Sequence, residues 1–206
     1  MHDRIRQQIR SLAPRVTQAE AIAAFQRGVW RALSANPLRS VAAAYVPFRL
    51  YEVEIVNGGK RSVSFFAADA VIGSLDLYEF DHLPAGEELV TVESSNSPIP
   101  QLDEERSLQL LEDKVQRAVF QAGFFRVRGL AVRARRLPID VHVPYWLGFF
   151  GSGERVHLRV MDAVRRQMEG AKARALFEDW LIGTPAHPPA IAAVPDATSF
   201  PGQPRG

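Results

Sequence analysis

The sequence of 206 residues contains no cysteine, which excludes disulfide bonds, thiolate catalysis and cysteine-ligated zinc. This absence favours a reducing compartment. The sequence also lacks an apolar run of the roughly 20 residues that a membrane-spanning helix needs. Residues 1–10 contain three arginines without an apolar segment behind them, so we expect no signal peptide and a cytoplasmic protein.

Lysine is scarce, with 3 lysines against 22 arginines, as the codon usage of a GC-rich bacterium would produce. The formal net charge of +2 hides a strong asymmetry. Residues 1–44 sum to +5, residues 45–113 to −10 and residues 114–206 to +7. We expect the acidic block to lie against the basic blocks of the same molecule.

Periodicity and turn residues predict a mixed helix and strand pattern. Residues 1–16 suit a short arm or helix, and Thr17 and Glu20 form a capping box that begins the next helix. Helices are expected at 17–36, 103–122 and 171–182. Strands are expected at 41–56, 59–69, 75–80, 88–94, 124–136, 139–150 and 155–162. Six prolines among the last 23 residues predict a disordered tail over 184–206.

The chain resembles itself in two places. Val46-Pro47-Phe48-Arg49-Leu50 is similar to Val143-Pro144-Tyr145-Trp146-Leu147. The segments beginning Asp69-Ala70-Val71 and Asp162-Ala163-Val164 follow them, and a helix precedes each pair. We therefore interpret residues 1–183 as a single domain of two related halves, about 17–94 and 103–183.

The turn residues predict the register of both hairpins. A loop at Asn57-Gly58 would place Val46 opposite Asp69, because Asn-Gly favours the positive φ angles of a type I′ turn. A loop at Ser152-Gly153 would place Val143 opposite Asp162. The two registers then agree with the repeated segments, which favours a duplication.

A strand that runs into Asp-Ala-Val-x-Gly resembles the hairpin of PepSY-type repeats, where an extended strand meets an Asp-Ala-x-x-Gly turn. The first copy has the glycine at Gly73, and the second has Arg166 at that place. The resemblance covers about twenty residues of each copy. It implies this fragment of fold, and a class of modules that bind or inhibit peptidases.

These features together predict an α+β protein: a duplicated helix–β-hairpin unit whose antiparallel sheet carries helices packed on one side. Asp69 and Asp162 occupy equivalent positions in it. They are candidate acid–base residues of a hydrolase. An aspartate at a strand end equally accepts amide hydrogens from the following turn, and we favour that structural role.

The second hairpin contains further candidates. Tyr145, Trp146 and Arg159 form a possible partner-binding site, with Trp146 predicted to face Arg159 in a cation–π contact. His142 and His157 lie on its two arms, but no third ligand has suitable spacing, so we predict neither a metal nor another cofactor.

Five arginines follow the second helix without an acidic residue between them: Arg126, Arg128, Arg133, Arg135 and Arg136. Such a strand suits a phosphate backbone, although we regard nucleic acid as an unlikely partner and expect the acidic block to pair with these arginines. The sequence does not decide whether the protein is an enzyme. The main hypothesis is a non-catalytic module that binds an unknown protein partner or assembles with itself.

Overall fold

A computed structural model describes residues 6–27, 37–123, 128–152, 156–183 and 192–193. Within them the strands are β1 Gln7–Leu12, β2 Leu38–Asn57, β3 Lys60–Asp69, β4 Tyr78–Phe80, β5 Leu89–Ser94, β6 Ala131–Phe150, β7 His157–Asp162, β8 Gln167–Met168 and β9 Ala192–Ala193. The helices are α1 Gln18–Gln26, α2 Glu104–Gly123 and α3 Ala171–Gly183, and a short 3₁₀ turn covers Gly86–Glu88.

The described strands form one mixed sheet in the order β4-β3-β2-β6-β1-β5. At its centre β2 and β6 run antiparallel over nearly their whole length, and Val46 lies directly opposite Val143. β7 pairs with the last part of β6 and carries β8, while β9 pairs with Ser40 and Val41 of β2. The two halves of the sequence therefore share one sheet.

The capping box predicted at the start of α1 is confirmed. The Thr17 hydroxyl accepts the Glu20 amide at 3.3 Å, and the Glu20 carboxylate accepts the Thr17 amide at 2.8 Å. α1 ends at Gln26, and the remainder of the helix predicted to 36 lies outside the described residues.

Both hairpins form, but their predicted registers are wrong by two residues. Phe48 lies opposite Asp69, and Tyr145 lies opposite Asp162. In the first hairpin the two turn residues are Gly58 and Gly59, with φ of +58° and +78°, because a type I′ turn needs positive φ at both positions. A displacement by an even number keeps every side chain on its predicted face.

Two other predicted elements differ from the structure. Residues 7–12, expected as an arm or helix, form β1, because pairing with β5 and β6 outweighs the weak helical pattern. The strands expected at 124–136 and 139–150 form one strand, β6, and residues 124–127 lie outside the described ones. Pro138 is accommodated because residues 137–139 form a bulge opposite Leu50.

The core lies on both faces of the sheet. Alternate residues of β2 and β6, including Val46 and Val143, pack on one face with Leu176 and Phe177 of α3. The opposite face holds two clusters: Phe25 of α1 packs at one end and Leu111 of α2 at the other. The prediction that the helices share one side is therefore right for α1 and α2 and wrong for α3.

The expected mixed α and β architecture is confirmed. Among the described residues, no helix is long and apolar enough to cross a membrane. Of the predicted tail, only Ala192 and Ala193 are described, and they pair with β2. Residues 184–191 and 194–206 lie outside the described residues.

Candidate functional site

The Asp69 side chain organises the loop that follows β3. Its Oδ1 atom accepts the amides of Val71, Ile72 and Gly73 at 3.2, 2.9 and 2.7 Å, and its Oδ2 atom accepts the amide of Leu75 at 2.9 Å. The residue is only 1% exposed. One carboxylate thus satisfies four buried or half-buried backbone donors, which would otherwise each cost free energy.

Gly73 is required by this loop for two reasons. Its φ of +67° lies in the left-handed region, which is costly for residues with a Cβ. A Cβ atom there would also lie 2.6 Å from Leu110 Cδ1 and 2.9 Å from Leu102 Cδ1. The loop therefore presses its backbone against the side chains of α2 and the segment before it.

Asp162 organises the loop after β7 with a different set of donors. Its Oδ1 atom accepts the amides of Val164 and Arg165, both at 2.8 Å, and its Oδ2 atom accepts the Tyr78 hydroxyl. The residue is fully buried. Arg166, four residues after this aspartate, has a φ of +62° and is the sole described non-glycine residue with positive φ.

Tyr78 reaches Asp162 from β4, on the other half of the sequence. Burial raises the pKa of Tyr78 well above its ordinary value, and the neighbouring Tyr145 and Asp162 raise it further. The hydroxyl therefore stays protonated and donates to the carboxylate. The Arg165 guanidinium lies over the Tyr78 ring, with its central carbon 3.9 Å from the ring centroid, and also donates to the Leu77 carbonyl.

The geometry determines what the two aspartates can do. Each carboxylate oxygen accepts at least one hydrogen bond from the protein, and both side chains are closed to solvent. A general acid or base must come within hydrogen-bond reach of its substrate. The arrangement therefore favours the structural role of Asp69 and Asp162 over the hydrolase role.

Protein-family models, curated proteins and solved structures provide no match to this chain.

The residues of the possible partner site do not form one exposed surface. Tyr145 is 2% exposed and packs edge-on against Phe177 of α3. Trp146 lies opposite Met161, and its indole N–H donates to the Val16 carbonyl at 2.9 Å. The predicted contact between Trp146 and Arg159 is wrong.

Arg159 instead lies opposite Gly148 on the neighbouring strand. Its guanidinium lies 5.6 Å from the centre of the Phe150 ring. The cation–π contact therefore exists with a different aromatic partner, because the true register is shifted by two residues from the predicted one.

The arginines of β6 are partly paired with the acidic block, as expected. Arg135 forms an ion pair with Glu52 at 3.1 Å and Arg136 forms one with Glu104 at 3.1 Å, and both carboxylates belong to the acidic block. Arg136 also forms an ion pair with Asp140 of its own strand at 3.2 Å. Arg128 and Arg133 are exposed, and Arg126 lies outside the described residues. The described arginines therefore do not form a continuous basic surface free of acidic side chains.

The two histidines lie far apart. His142 is opposite Pro47 near the centre of β6, whereas His157 is opposite Phe150 at its end. Eight residues of strand separate these two positions, a distance of about 26 Å. The described part of the chain contains no group of three side chains suited to a metal ion.

Sequence reasoning missed three side chains that support the loops. Tyr78 caps Asp162, Arg49 joins β2 to the start of α2, and Lys114 of α2 donates to the Leu75 carbonyl in the Asp69 loop. Burial lowers the pKa of Lys114, although Asp69 and Asp76 oppose this effect. Only Arg49 had a sequence signal, because it occupies the place of Trp146 in the repeated segment.

Proposed function

We propose that the chain is a duplicated helix–hairpin unit that acts as a non-catalytic module, binding a protein partner or assembling with itself. The observation that carries this proposal is the use of Asp69 and Asp162. These side chains define the repeated motif, and both carboxylates accept hydrogen bonds from the backbone amides of their own loops. The motif therefore has a structural role, and we assign partner binding to the surface of the protein.

Corresponding hydrogen bonds support the duplication. The Ala70 amide donates to the Pro47 carbonyl at 2.9 Å, and the Ala163 amide donates to the Pro144 carbonyl at 3.0 Å. Each proline is two residues before the arginine or tryptophan of its repeated segment. Val46 and Val143, the residues before the two prolines, face each other at the centre of the sheet. This is where a local twofold axis relating the halves would pass.

The helices add independent support. The Arg49 guanidinium donates to the Leu102 carbonyl at 2.7 Å, directly before the N-cap of α2, just as the Trp146 indole donates to the Val16 carbonyl before α1. Each helix thus begins on the hairpin of the other half. Different side chains make the same connection, as expected of two diverged copies.

Backbone hydrogen bonds also connect the segment before each helix to the hairpin of the other half. The Arg15 amide donates to the Ala163 carbonyl at 2.8 Å, and the Gln101 amide donates to the Ala70 carbonyl at 3.0 Å. Arg15 and Gln101 both lie two residues before the N-cap of a helix, and both alanines directly follow the loop aspartate. Independent turns would have no reason to share this spacing.

Affinity capture tests the function. The immobilised full-length chain is exposed to extracts of the source organism, captured proteins are identified by mass spectrometry, and each is purified and titrated against the free chain. A protein of the same size and net charge is the matched control. Sedimentation of the free chain measures self-assembly. The resemblance to PepSY-type hairpins is a reason to include peptidases among the purified proteins.

We expect saturable binding of a protein or reversible self-association. The contrary outcome is turnover of an ester, peptide or phosphodiester by the purified chain that is lost in Asp162→Asn while the melting temperature is retained. That result would assign a catalytic role to the buried carboxylate and would exclude the non-catalytic module.

A further inference from the structure

The strand β5 leaves one edge of the sheet open. Among the described residues β5 pairs with β1 alone, and the Ala13 amide donates to the Glu88 carbonyl at the start of this ladder. Antiparallel pairs exchange hydrogen bonds at every second residue. The amide and carbonyl groups of Thr91 and Glu93 therefore point away from β1. The Leu89 carbonyl does so as well, whereas the Leu89 amide donates to the Gly86 carbonyl.

Two longer unpaired stretches of strand, in β3 and β6, carry features that oppose further pairing. β3 extends beyond β4 at Lys60 and Arg61, and charged residues discourage an added strand. In the first part of β6 the Ala134 amide already donates to the Glu112 carboxylate at 3.0 Å, and Pro138 has no amide hydrogen. β5 contains neither lysine nor proline, and its sequence Val-Thr-Val favours strand pairing.

The surroundings of this edge indicate the charge of its partner. Residues 79–94 contain five acidic residues and no lysine or arginine. Three of them, Glu79, Glu87 and Glu88, line a pocket together with Arg15, Arg165 and Arg166, which balance their charge. Glu93 is the one charged residue of β5 itself. The Glu93 side chain is exposed at the edge and has no ion pair among the described residues. A strand with basic side chains would be attracted here, and an acidic strand would be repelled.

We infer that the outer edge of β5 is a docking site for an extended, basic peptide segment of a partner protein, which adds to the sheet as an antiparallel strand. This inference rests on the proposed function and specifies its site. The amide and carbonyl groups of Thr91 and Glu93 and the Leu89 carbonyl supply the pairing, and a lysine or arginine opposite Glu93 supplies the charge complementarity.

The probe is a capped peptide of about eight residues that alternates valine and lysine, a typical strand length. Two matched peptides accompany it: one with glutamate in place of lysine, and one with methylated backbone nitrogens that cannot donate hydrogen bonds. Each is titrated into the full-length chain by calorimetry at low salt, and hydrogen exchange of the amides is followed by NMR. We expect binding of the unmethylated basic peptide alone, with slower exchange at Thr91 and Glu93.

Variants of two edge residues test the contacts. Thr91→Pro removes an outward amide that β1 does not use, so the fold is retained while affinity falls by about tenfold or more. Thr91→Val keeps that amide and is the matched control, with affinity unchanged. Glu93→Gln reduces affinity by about two- to fivefold, an effect that salt weakens, whereas Glu105→Gln on the exposed face of α2 has no effect.

Several results would overturn the inference. These are equal binding of the methylated peptide, unchanged affinity of Thr91→Pro, or slower exchange confined to residues outside β5. A dimer of the chain that Thr91→Pro abolishes would assign the edge to a second copy instead. If Thr91→Pro still binds a captured partner as tightly as the wild type, this site is wrong while the proposed function stands.

Discussion

The loops after β3 and β7 follow similar paths with different chemistry. In the first, Asp69 accepts four backbone amides and a glycine occupies the left-handed position. In the second, Asp162 accepts two backbone amides and a tyrosine hydroxyl from a distant strand, and an arginine occupies that position. The comparison shows that a buried carboxylate can stabilise a loop with a left-handed residue four positions later through different sets of donors.

The two loops are stabilised by donors at different distances along the sequence. The Asp69 loop is local, because all four amide donors lie within six residues of the aspartate. The Asp162 loop depends on Tyr78, 84 residues away in sequence. It also bears the left-handed conformation of Arg166, which costs a residue with a Cβ about 1–2 kcal/mol. The second loop therefore relies more on the surrounding fold.

The largest expected effect comes from separating the halves. Fragments 1–97 and 98–206 should each fold poorly, because β2 and β6 lose their longest partner and α1 loses Phe150. Mixing them should restore the structure. Circular dichroism and NMR of each fragment and of the mixture measure this. Two fragments that unfold cooperatively alone would mean that the loops belong to independent domains.

Removing the carboxylates compares the loops directly. We expect Asp69→Ala to lower the free energy of unfolding by about 3–4 kcal/mol and Asp162→Ala by about 2–3 kcal/mol, because the first leaves more buried donors unpaired. Asp76→Ala, at an exposed position in the same segment, should change it by no more than about 0.5 kcal/mol. Chemical denaturation measures all three. If Asp162→Ala lost more free energy of unfolding than Asp69→Ala, the distant Tyr78 donor would contribute more to stability than the local amides do.

Exchanging residue types at the left-handed position sharpens the comparison. Gly73→Ala should cost about 2 kcal/mol, since it combines the unfavourable φ with close contacts to Leu110 and Leu102. Gly86→Ala is the matched control, because its φ is +54° and no atom lies within 4 Å of the added Cβ.

The reciprocal change at the second loop, Arg166→Gly, should stabilise the fold by about 0–1 kcal/mol, because relief of strain exceeds the added entropy of the unfolded chain. Thermal denaturation of these variants provides the ranking. A clear loss in Arg166→Gly would show that the arginine side chain, which contacts Glu20 at 3.5 Å, contributes more than its backbone costs.

The smallest effect concerns pH. His142 lies two residues before Pro144. In the first half of the sequence, Tyr45 has the same position relative to Pro47. Burial lowers the pKa of His142 from its ordinary value of 6.5. The unfolded chain therefore takes up a proton first as the pH falls through 6.5, and the stability decreases toward the lowered pKa.

The variant His142→Gln should reduce that decrease, as seen in urea denaturation at pH 7.5 and at acidic pH. Tyr45→Phe is the control in the corresponding place, where burial raises the tyrosine pKa and no proton is exchanged in this range. An unchanged pH dependence in His142→Gln would mean that another group is responsible.

Local signals in the sequence predicted much of the fold. The Thr17 capping box, the second helix and the two hairpins were found because each depends on residues close in sequence. The register of the first hairpin was wrong because Gly58-Gly59 competes with Asn57-Gly58 for the same turn, and a pair of glycines satisfies both positive φ angles. The turn of the second hairpin includes residues 153–155, which lie outside the described ones. β1 was missed because its partners, β5 and β6, lie about 80 and 130 residues away.

The loops were predicted in part. Asp69 and Asp162 were identified as equivalent turn residues, which depends only on the following amides. Tyr78, Arg165 and Lys114 were not identified, because their roles arise from contacts between elements distant in sequence. The placement of α3 on the opposite face likewise depends on its packing against β2 and β6, which are distant in sequence, so no local pattern predicts it.

The pairing of β2 with β6 has a consequence during translation. Residues 58–130 emerge from the ribosome after β2 is complete and before β6 begins. At about 5–20 residues per second, β2 waits roughly 4–15 s for its partner strand. Throughout that interval the nascent chain presents a long apolar strand with an unfilled edge, so prematurely terminated products should be the form of this protein most prone to aggregate and most in need of a chaperone.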